Sequence, residues 1–265
     1  MIKFFRKIRQ NLLLEGNTGK YLKYAVGEIV LVVIGILIAL SINNQNEQRK
    51  NNHQEALYIK GIERDLREQL EHIENQMAWE LDMSGIAKDI LLKFESNSEF
   101  TVDSIFISSL GSLTLRKTFT MRTATLEGLI SSGNLNILRN QTFKDLLIKY
   151  YEKLERVVEI IHKNNSLFID QEFVPNIVDI IPIIRPESLN QNTDKSNVDY
   201  LNKQKYVPRL NDKLVELTQM KVNHPDYITS LFSSLSLRYD FSMISLSLMT
   251  DLKSSTEELI TRIPK

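Results

Sequence analysis

The chain has no cysteine, and its 265 residues include only nine glycines, six prolines and one tryptophan. Without cysteine it forms no disulfide and has no thiol nucleophile, which suits an oxidising compartment where a stray thiol is a liability. No G-x-x-x-x-G-K phosphate loop and no G-x-S-x-G nucleophile elbow occurs. The common sequence signatures of nucleotide-binding and acyl-transfer enzymes are therefore missing.

The formal net charge of the chain is zero, because 33 basic residues balance 33 acidic ones. The distribution is uneven, since the first 23 residues contain six basic residues and one acidic residue. The rest of the chain is mildly acidic and has no basic stripe, which disfavours nucleic acid as a partner.

Charge is scarcest between residues 24 and 42, which read YAVGEIVLVVIGILIALSI. Glu28 is the only charged residue there, and residues 29–40 form an unbroken apolar run. A helix needs about 20 mostly apolar residues to cross a bilayer. The sequence therefore predicts one transmembrane helix over residues 24–42, with the lipid bilayer as a partner.

A cleaved secretory signal is the alternative, because Ala39-Leu40-Ser41 places small residues at the spacing of a cleavage site. Retention as an anchor is favoured for two reasons. The segment before the apolar run is longer than that of an ordinary signal peptide, and the carboxylate of Glu28 abuts the run.

Lysine and arginine lie mostly before the span, and the positive-inside rule places that side in the cytoplasm. We expect residues 1–23 in the cytoplasm, residues 43–265 in the periplasm, and the protein in the inner membrane of a bacterium. Within residues 1–23, apolar and basic residues alternate at helical spacing, as in a short amphipathic segment lying among lipid headgroups. The apolar residues are Ile2, Phe4, Phe5, Ile8 and Leu12.

Small residues mark one face of the predicted span. Gly27, Gly35 and Ala39 lie on related turns, and Gly35-x-x-x-Ala39 is a small-xxx-small pair. Such pairs let a second helix approach closely, so this face is a candidate for helix packing.

Glu28 is the second candidate feature, because ionisable groups within a membrane are often functional. It lies one turn from Tyr24 and within two turns of Lys20 and Lys23, close to the headgroups. A snorkelling or locally solvated carboxylate is favoured over a proton relay or an ion pair with a partner.

Three N-terminal motifs are Met1–Arg6 (MIKFFR), Lys20–Ile29 (KYLKYAVGEI) and Gly35–Asn44 (GILIALSINN). In them the chain resembles an uncharacterised family of single-span membrane proteins of Bacteroidota, which contain a domain of unknown function. Leu129–Leu135 and Leu147–Tyr151 are similar to that family's SG-L and YY elements. Its members often have Trp where this chain has Gln45, so one interfacial anchor is lost here. The resemblance implies an envelope protein with a helical extracytoplasmic domain, and it implies no activity.

Residues 48–95 have the pattern of one long amphipathic helix that continues the span, since residues 43–46 include no Pro or Gly. The apolar positions follow a nearly straight line of eleven residues per three turns. They are Ile59, Ile62, Leu66, Leu70, Ile73, Met77 and Leu81. We expect this stripe to pack within the chain's own domain, with a dimeric coiled coil as the alternative and bends near Gly61 and Gly85.

Further helices follow along the chain. They are predicted at residues 123–132, 140–169 and 210–222, and from 224 almost to the end. Asn140 is a suitable N-cap, and Gly133 is a stop signal. The last helix is expected to bury Leu231, Leu235, Phe241, Ile244, Leu248, Leu252 and Leu259.

Two segments fit helices poorly. A Pro-containing loop region is predicted near residues 174–208, and residues 113–121 alternate like a strand, with Leu113, Leu115, Phe119 and Met121 on one side. The fold class is nevertheless mainly α. We expect an antiparallel helical bundle of about four main helices, with the spanning helix continuing into the first.

Helical bundles often hold metal ions through paired Glu-x-x-His motifs. Only Glu159-x-x-His162 matches here, and the position before His72 at that spacing is Gln69. We therefore predict no metal site and no cofactor. Tyr150, Tyr151 and Trp79 could line a ligand groove, although core packing is the favoured interpretation.

These features together predict a non-enzymatic envelope protein that binds a protein partner, assembles a complex or forms a homo-oligomer. A periplasmic ligand sensor is the first alternative; its short cytoplasmic segment would require signalling through another protein. A membrane-anchored enzyme of unknown reaction is the second, with catalytic residues that sequence spacing conceals.

Overall fold

The computed structural model describes residues 18–184 and 210–264, and within these ranges it contains seven α-helices. They are α1 (Thr18–Asn97), α2 (Ser104–Leu113), α3 (Ala124–Ser131), α4 (Gln141–Lys163), α5 (Val174–Ile180), α6 (Asp212–Val222) and α7 (Pro225–Thr261). A 3-10 turn, Asn134–Ile137, precedes α4, and a π-helical segment, Asn164–Phe173, joins α4 to α5. The described residues include no strand, so the prediction of a mainly α fold is confirmed.

The predicted span and the predicted long helix are one uninterrupted element, α1, of 80 residues. At 1.5 Å per residue its length is about 120 Å. Its N-terminal part is long and apolar enough to cross a membrane, with a mean hydropathy of 2.7, and none of that window is buried. The first fully buried side chain along α1 is Ile62. One helix therefore joins an uncovered apolar segment to a packed domain.

The packed part of α1 and the whole of α7 bury side chains at alternating steps of four and three residues. In α1 these are Ile62, Leu66, Gln69, Ile73, Gln76, Glu80, Met83, Ala87 and Ile90. In α7 they are Leu231, Leu235, Arg238, Ser242, Ser245, Met249, Leu252, Thr256 and Leu259. This is the spacing of a coiled-coil seam, and the two helices pack against each other along it. The stripe is thus buried within the domain, as predicted.

The two helices run antiparallel. The Nζ atom of Lys253 lies 2.7 Å from the Oε1 atom of Glu74, whereas Nη1 of Arg238 lies 3.8 Å from Oε2 of Glu80. Residues further along α1 therefore contact residues nearer the start of α7.

α4 packs on α7 in the same antiparallel manner. The hydroxyl oxygen atoms of Tyr150 and Thr256 are 2.8 Å apart, and Lys153 Nζ lies 2.6 Å from Asp251 Oδ2. Asn140 caps α4 as predicted, since its Oδ1 atom accepts a hydrogen bond from the backbone N–H of Phe143 at 2.9 Å.

The predicted stripe of α1 holds as far as Met77, which is half-buried against the core, and is wrong at Leu81. Leu81 is 63% exposed, while the polar side chains of Gln76 and Glu80 are buried. A seam of 3.5 residues per turn and a line of eleven residues per three turns diverge along a helix. The buried positions of α1 follow the spacing of 3.5 residues per turn, and this spacing places the polar residues Gln76 and Glu80 in the core.

The predicted face of α7 is also partly wrong. Ile244 is 47% exposed, and Phe241 and Leu248 are only half-buried. Ser242 and Ser245 occupy the seam instead. Small side chains there leave room for the long side chain of Arg238, and serine hydroxyls can bond to it.

The strand-like alternation of residues 113–121 does not produce a strand. Leu113 ends α2, and residues 115–123 are an irregular segment lying along α1. Side chains of α1 bond to its backbone: the Oε1 atom of Gln69 accepts from the N–H of Arg122 at 2.7 Å, and His72 Nδ1 lies 3.2 Å from Thr120 O. Side chains of α1 thus provide hydrogen-bond partners for backbone groups of this segment that a neighbouring strand would otherwise provide.

The predicted loop region begins later than expected. The chain remains helical through the π-helical segment and α5, which contains Pro175 in its first turn. Proline is tolerated there because the first backbone N–H groups of a helix have no partner within it. Residues 185–209 lie outside the described residues. Asn211 and His224 cap α6 and α7 close to the predicted starts.

α3 docks onto α1 at Gly61. The Oδ2 atom of Asp65 accepts a hydrogen bond from the N–H of Thr125 at 2.7 Å, which satisfies a donor in the first turn of α3. A Cβ atom built on Gly61 would lie 2.8 Å from both γ atoms of Thr125, whereas one on Gly85 would meet nothing within 4 Å. α1 stays helical through both glycines, and Gly61 allows the close approach of α3.

We therefore expect opposite results from two glycine substitutions in the same helix. Gly85→Ala should raise the free energy of unfolding by about 0.5–1 kcal/mol, because alanine loses less backbone entropy on forming a helix. Gly61→Ala should lower it, because the methyl group collides with Thr125. Urea unfolding of the intact protein in detergent, followed by the fluorescence of Trp79, measures both. An equal increase in the free energy of unfolding for both substitutions would contradict this prediction, because it would show that α3 moves to accommodate the methyl group at residue 61.

Candidate functional site

The most unusual group of buried residues is a charged layer in the seam between α1 and α7. Arg238 is 2% exposed and Glu80 is 6% exposed. Charged side chains are rarely buried to this degree unless they are paired. Both side chains are therefore expected to have hydrogen-bond or ion-pair partners within the protein.

Ser242 relays the contact between the two charges. Its Oγ atom accepts a hydrogen bond from Arg238 Nη1 at 2.6 Å and donates one to Glu80 Oε2 at 3.0 Å. The direct distance from Nη1 to Oε2 is 3.8 Å, which is that of an ion pair and too long for a hydrogen bond. Gln76 Nε2 donates to the other oxygen of Glu80 at 2.9 Å. Both carboxylate oxygens are therefore engaged.

Arg238 also binds the end of α2. Its Nε atom donates to the carbonyl oxygen of Leu113, the last residue of that helix, at 3.3 Å. The last carbonyl groups of a helix lack partners within it and carry partial negative charge. One guanidinium group thus connects α7, α2 and, through Ser242, α1.

Burial opposes ionisation throughout this layer. It raises the pKa of Glu80, against the opposing effect of Arg238 and the hydrogen bonds from Ser242 and Gln76. It also lowers the pKa of Arg238, which the charge of Glu80 counteracts. Burial lowers the pKa of nearby Lys117, whose Nζ donates to Asn75 O at 2.8 Å. Glu80 and Arg238 are thus both held by hydrogen bonds within the layer, whereas the buried Oε1 atom of Gln76 has no partner among the described residues.

A second feature is an open groove close to the end of the apolar segment of α1. It has a volume of about 470 Å³. We call it the membrane-proximal groove, because it lies close to the predicted span. It is lined by Gln48, Asn51, Asn52, Gly133, Asn134, Asn136, Ile137 and Arg139. Five of these eight residues have carboxamide side chains.

Two contacts fix the loop wall of this groove against α1. Glu55 accepts hydrogen bonds from the backbone N–H of Arg139 at 2.9 Å and from its Nε at 2.6 Å. Asn134 Nδ2 donates to the hydroxyl oxygen of Tyr58 at 3.4 Å. Gly133 has φ of +69°, a conformation that favours glycine, and it turns the chain from α3 back toward α1. The predicted stop signal at Gly133 is confirmed.

The site residues predicted within the span lie on one exposed helix. A Cβ atom added to Gly27 or Gly35 would meet nothing within 4 Å, and Ala39 is exposed. Glu28 is half-buried. Space for a second helix therefore exists on the small-residue face, and its occupation stays a prediction.

Lys20, Lys23 and Tyr24 also belong to α1. Lys23 is exposed, whereas the side chains of Lys20 and Tyr24 lie outside the described residues. Their position among headgroups stays a prediction.

The other residues singled out by the sequence do not form a site. Glu159 and His162 are both exposed, and Glu159 pairs with Lys163 at 2.7 Å. Residues 18–184 and 210–264 include no group of three His, Cys, Asp or Glu side chains arranged to hold a metal. The absence of a metal site stays a prediction.

The three aromatic residues pack mainly in the core. Tyr150 and Tyr151 are buried, and burial raises the pKa of Tyr150 to about 12. Tyr150 also contributes to a small cavity of about 160 Å³ between α4 and α7. Trp79 is half-buried and packs against a hydrophobic cluster.

Sequence reasoning missed the charged layer and the groove. A signal for the layer was present, because Leu231 and Leu235 continue at steps of three and four to Arg238 and Ser242. The competing apolar series through Phe241 concealed it. The groove left no comparable signal, since it joins residues more than 80 positions apart along the chain.

Comparison with known protein families gives a match. The model of a family of unknown function, DUF6090, matches residues 28–171. This range contains most of the apolar segment, the groove and Glu80, and it ends before α7. No curated protein and no solved structure matches the chain.

We expect the buried pair to show strong energetic coupling. Arg238→Met or Glu80→Met alone should each lower the free energy of unfolding by about 3–5 kcal/mol, because each leaves an uncompensated buried charge. The double variant should lose much less than the sum. Urea unfolding of the intact protein in detergent gives the four values of the cycle.

The control cycle uses Glu74→Met and Lys253→Met, which break a more exposed ion pair between the same two helices. Its coupling energy should stay within about 1 kcal/mol. Equal coupling in the two cycles would contradict the role assigned to burial.

Burial of Glu80 should also give the stability a specific dependence on pH. Because its pKa in the folded protein is raised above the ordinary 4.5, the folded state binds this proton more tightly than the unfolded state does. Its contribution to stability is therefore greatest below that value and falls as the pH rises through the folded pKa.

Unfolding free energies of the native protein and of Glu80→Gln, compared between about pH 4 and pH 8, test this dependence. The difference, native minus variant, should decrease toward high pH. Replacement of the neutral acid by an amide adds an offset that does not depend on pH, whereas the pairing of ionised Glu80 with Arg238 is already contained in the pKa of Glu80. A difference that does not change with pH would contradict the raised pKa.

Proposed function

The chain belongs to DUF6090, a family of unknown function, and we propose that it is a non-enzymatic, membrane-anchored helical module that binds a partner protein in the bacterial envelope. The observation that carries this proposal is the continuity of α1. One helix bears both an apolar segment that no described residue buries and the seam on which the domain is built.

The apolar side chains of residues 24–42 are expected to be surrounded by lipid. Large apolar side chains along it, from Ile29 to Ile42, are each about half exposed or more. Exposure of such a continuous surface to water would be unfavourable, and its length matches the thickness of a bilayer. The helix anchors the protein in the inner membrane.

The excess of basic residues before the span orients the protein. Residues 1–23 lie in the cytoplasm and residues 43–265 in the periplasm, where the helices form an antiparallel bundle. Because α1 is continuous, the bundle stands at a fixed height above the membrane. Such a domain presents a surface to other envelope components.

The packing of the domain favours binding over catalysis. Its buried charged residues, Asp65, Glu80 and Arg238, are each hydrogen-bonded to a group of a neighbouring helix. A catalytic acid or base must reach the reacting group.

The surface that suits a partner lies beside the seam on α7. Leu237, Phe241, Ile244 and Leu248 follow one another at steps of four, three and four residues. Leu237 and Ile244 are each 47% exposed. This spacing fits an amphipathic helix packing alongside α7, so the partner contributes a helix.

A ligand sensor is the second candidate, and the membrane-proximal groove is the observation that favours it. The groove has the size of a small-molecule site, which is about 300–1,000 Å³. A sensor of this kind would signal through a second membrane protein, because its cytoplasmic segment is short.

The leading proposal is tested by purifying the intact, tagged protein from native membranes in mild detergent after cross-linking, with mass spectrometry of what accompanies it. We expect one stoichiometric companion. The double substitution Leu237→Asp and Ile244→Asp should lower its recovery at least about tenfold, since buried apolar contacts dominate such interfaces.

Leu81→Asp is the control, because Leu81 is a more exposed leucine that lies on α1 rather than on α7. It should leave recovery unchanged. A protein that emerges alone, or a companion whose recovery is insensitive to the α7 variant, would contradict partner binding at this surface.

A further inference from the structure

We propose that the membrane-proximal groove is a binding site for a neutral saccharide. Its occupant is either the sugar headgroup of a glycolipid or a soluble or polymeric glycan at the membrane surface. The inference does not depend on a protein partner. Only the choice of a lipid-linked source depends on the proposed anchor.

The chemistry of the lining favours a hydroxyl-rich ligand. Gln48, Asn51 and Asn52 come from α1, and Asn134 and Asn136 come from the facing loop. Each carboxamide offers two hydrogen-bond donors and an acceptor oxygen. A sugar hydroxyl also donates and accepts, so opposing walls of carboxamides can bond to hydroxyl groups in either direction.

The charge of the groove argues against an anionic ligand. Arg139 is the only charged residue in the lining, and its Nε atom is paired with Glu55 at 2.6 Å. Phosphate sites normally present uncompensated positive charge or several free backbone N–H groups. The paired Arg139 instead leaves the groove close to neutral.

The shortage of apolar lining argues against an acyl chain or a peptide side chain. Ile137 is the only apolar side chain in the wall. Sites for hydrophobic groups are lined mainly by apolar and aromatic residues. A polar, uncharged and compact ligand remains, and a saccharide unit has all three properties.

The walls are held in position before any ligand binds. Glu55 ties the Arg139 end of the loop to α1, and Tyr58 holds Asn134. Fixed walls reduce the entropy that binding costs.

The height of the groove fits a ligand at the membrane surface. Gln48 and Asn52 lie six and ten residues beyond Ile42, the end of the apolar segment. At 1.5 Å per residue this is about 9–15 Å along α1. The headgroup layer on each side of a bilayer is about 5–8 Å thick. The groove therefore opens just above the phosphate groups, where a glycolipid presents its sugar.

The test uses the intact protein in phosphatidylcholine nanodiscs prepared without sugar-headed detergents, which would compete for the site. Saturation-transfer NMR and calorimetry measure binding of three neutral probes: chitotetraose, cellotetraose and maltotetraose. In a second arm, glucosyl diacylglycerol is added to the nanodiscs, and native mass spectrometry counts the lipids retained by the protein. Inorganic phosphate and phosphatidylglycerol are the anionic comparisons.

We expect at least one saccharide or the glycolipid to bind, and the anionic probes not to compete. The double variant Asn51→Ala, Asn136→Ala should weaken binding at least about tenfold. Gln45→Ala, Gln54→Ala is the matched control, since both glutamines are exposed on α1 outside the groove, and it should bind normally. Retention of the glycolipid alone identifies a lipid-linked source, and binding of a free tetrasaccharide identifies a soluble one.

Three results would overturn the proposal. They are no binding of any neutral probe up to about 10 mM, displacement by inorganic phosphate, or equal affinity in the groove variant and its control. Loss of membrane association would affect only the glycolipid arm. Failure to recover a companion protein would leave both arms unaffected, so this test is separate from that of partner binding.

Discussion

The fold depends on how Glu80 and Arg238 are accommodated in the seam between α1 and α7. Two opposite charges in an apolar interior are tolerated only when both are bonded, and Ser242 provides the connecting hydroxyl. This requirement selects small residues around the arginine and fixes which turn of α7 faces which turn of α1. The same guanidinium binds the last carbonyl of α2. One polar layer thereby sets the register of three helices.

Polar side chains of α1 organise the rest of the domain in a similar way. Gln69 binds the backbone of the irregular segment, Asp65 satisfies the first turn of α3, and Glu55 holds the loop that forms the groove. Each lies on α1 and contacts a segment distant in sequence. α1 is therefore both the proposed anchor and the template on which later segments are positioned.

The buried charged residues among the described ones are bonded within the structure. Asp65, Glu80 and Arg238 each have a hydrogen-bond partner on another helix. The polar residues that follow the apolar segment of α1 instead line the groove. The groove and the exposed face of α7 are built from different residues, and α1 both lines the groove and packs against α7.

The sequence alone determined the helical class, the long α1, the cap at Asn140 and the stop at Gly133, because these follow from local spacing and backbone preference. It also marked an apolar segment that no described residue covers. Tertiary structure decided what spacing could not, namely that Gln76 and Glu80 rather than Leu81 face α7. It also decided that residues 115–123 are irregular and belong to no sheet. The reason is physical: burial of a polar group depends on partners far along the chain, and local periodicity carries no information about them.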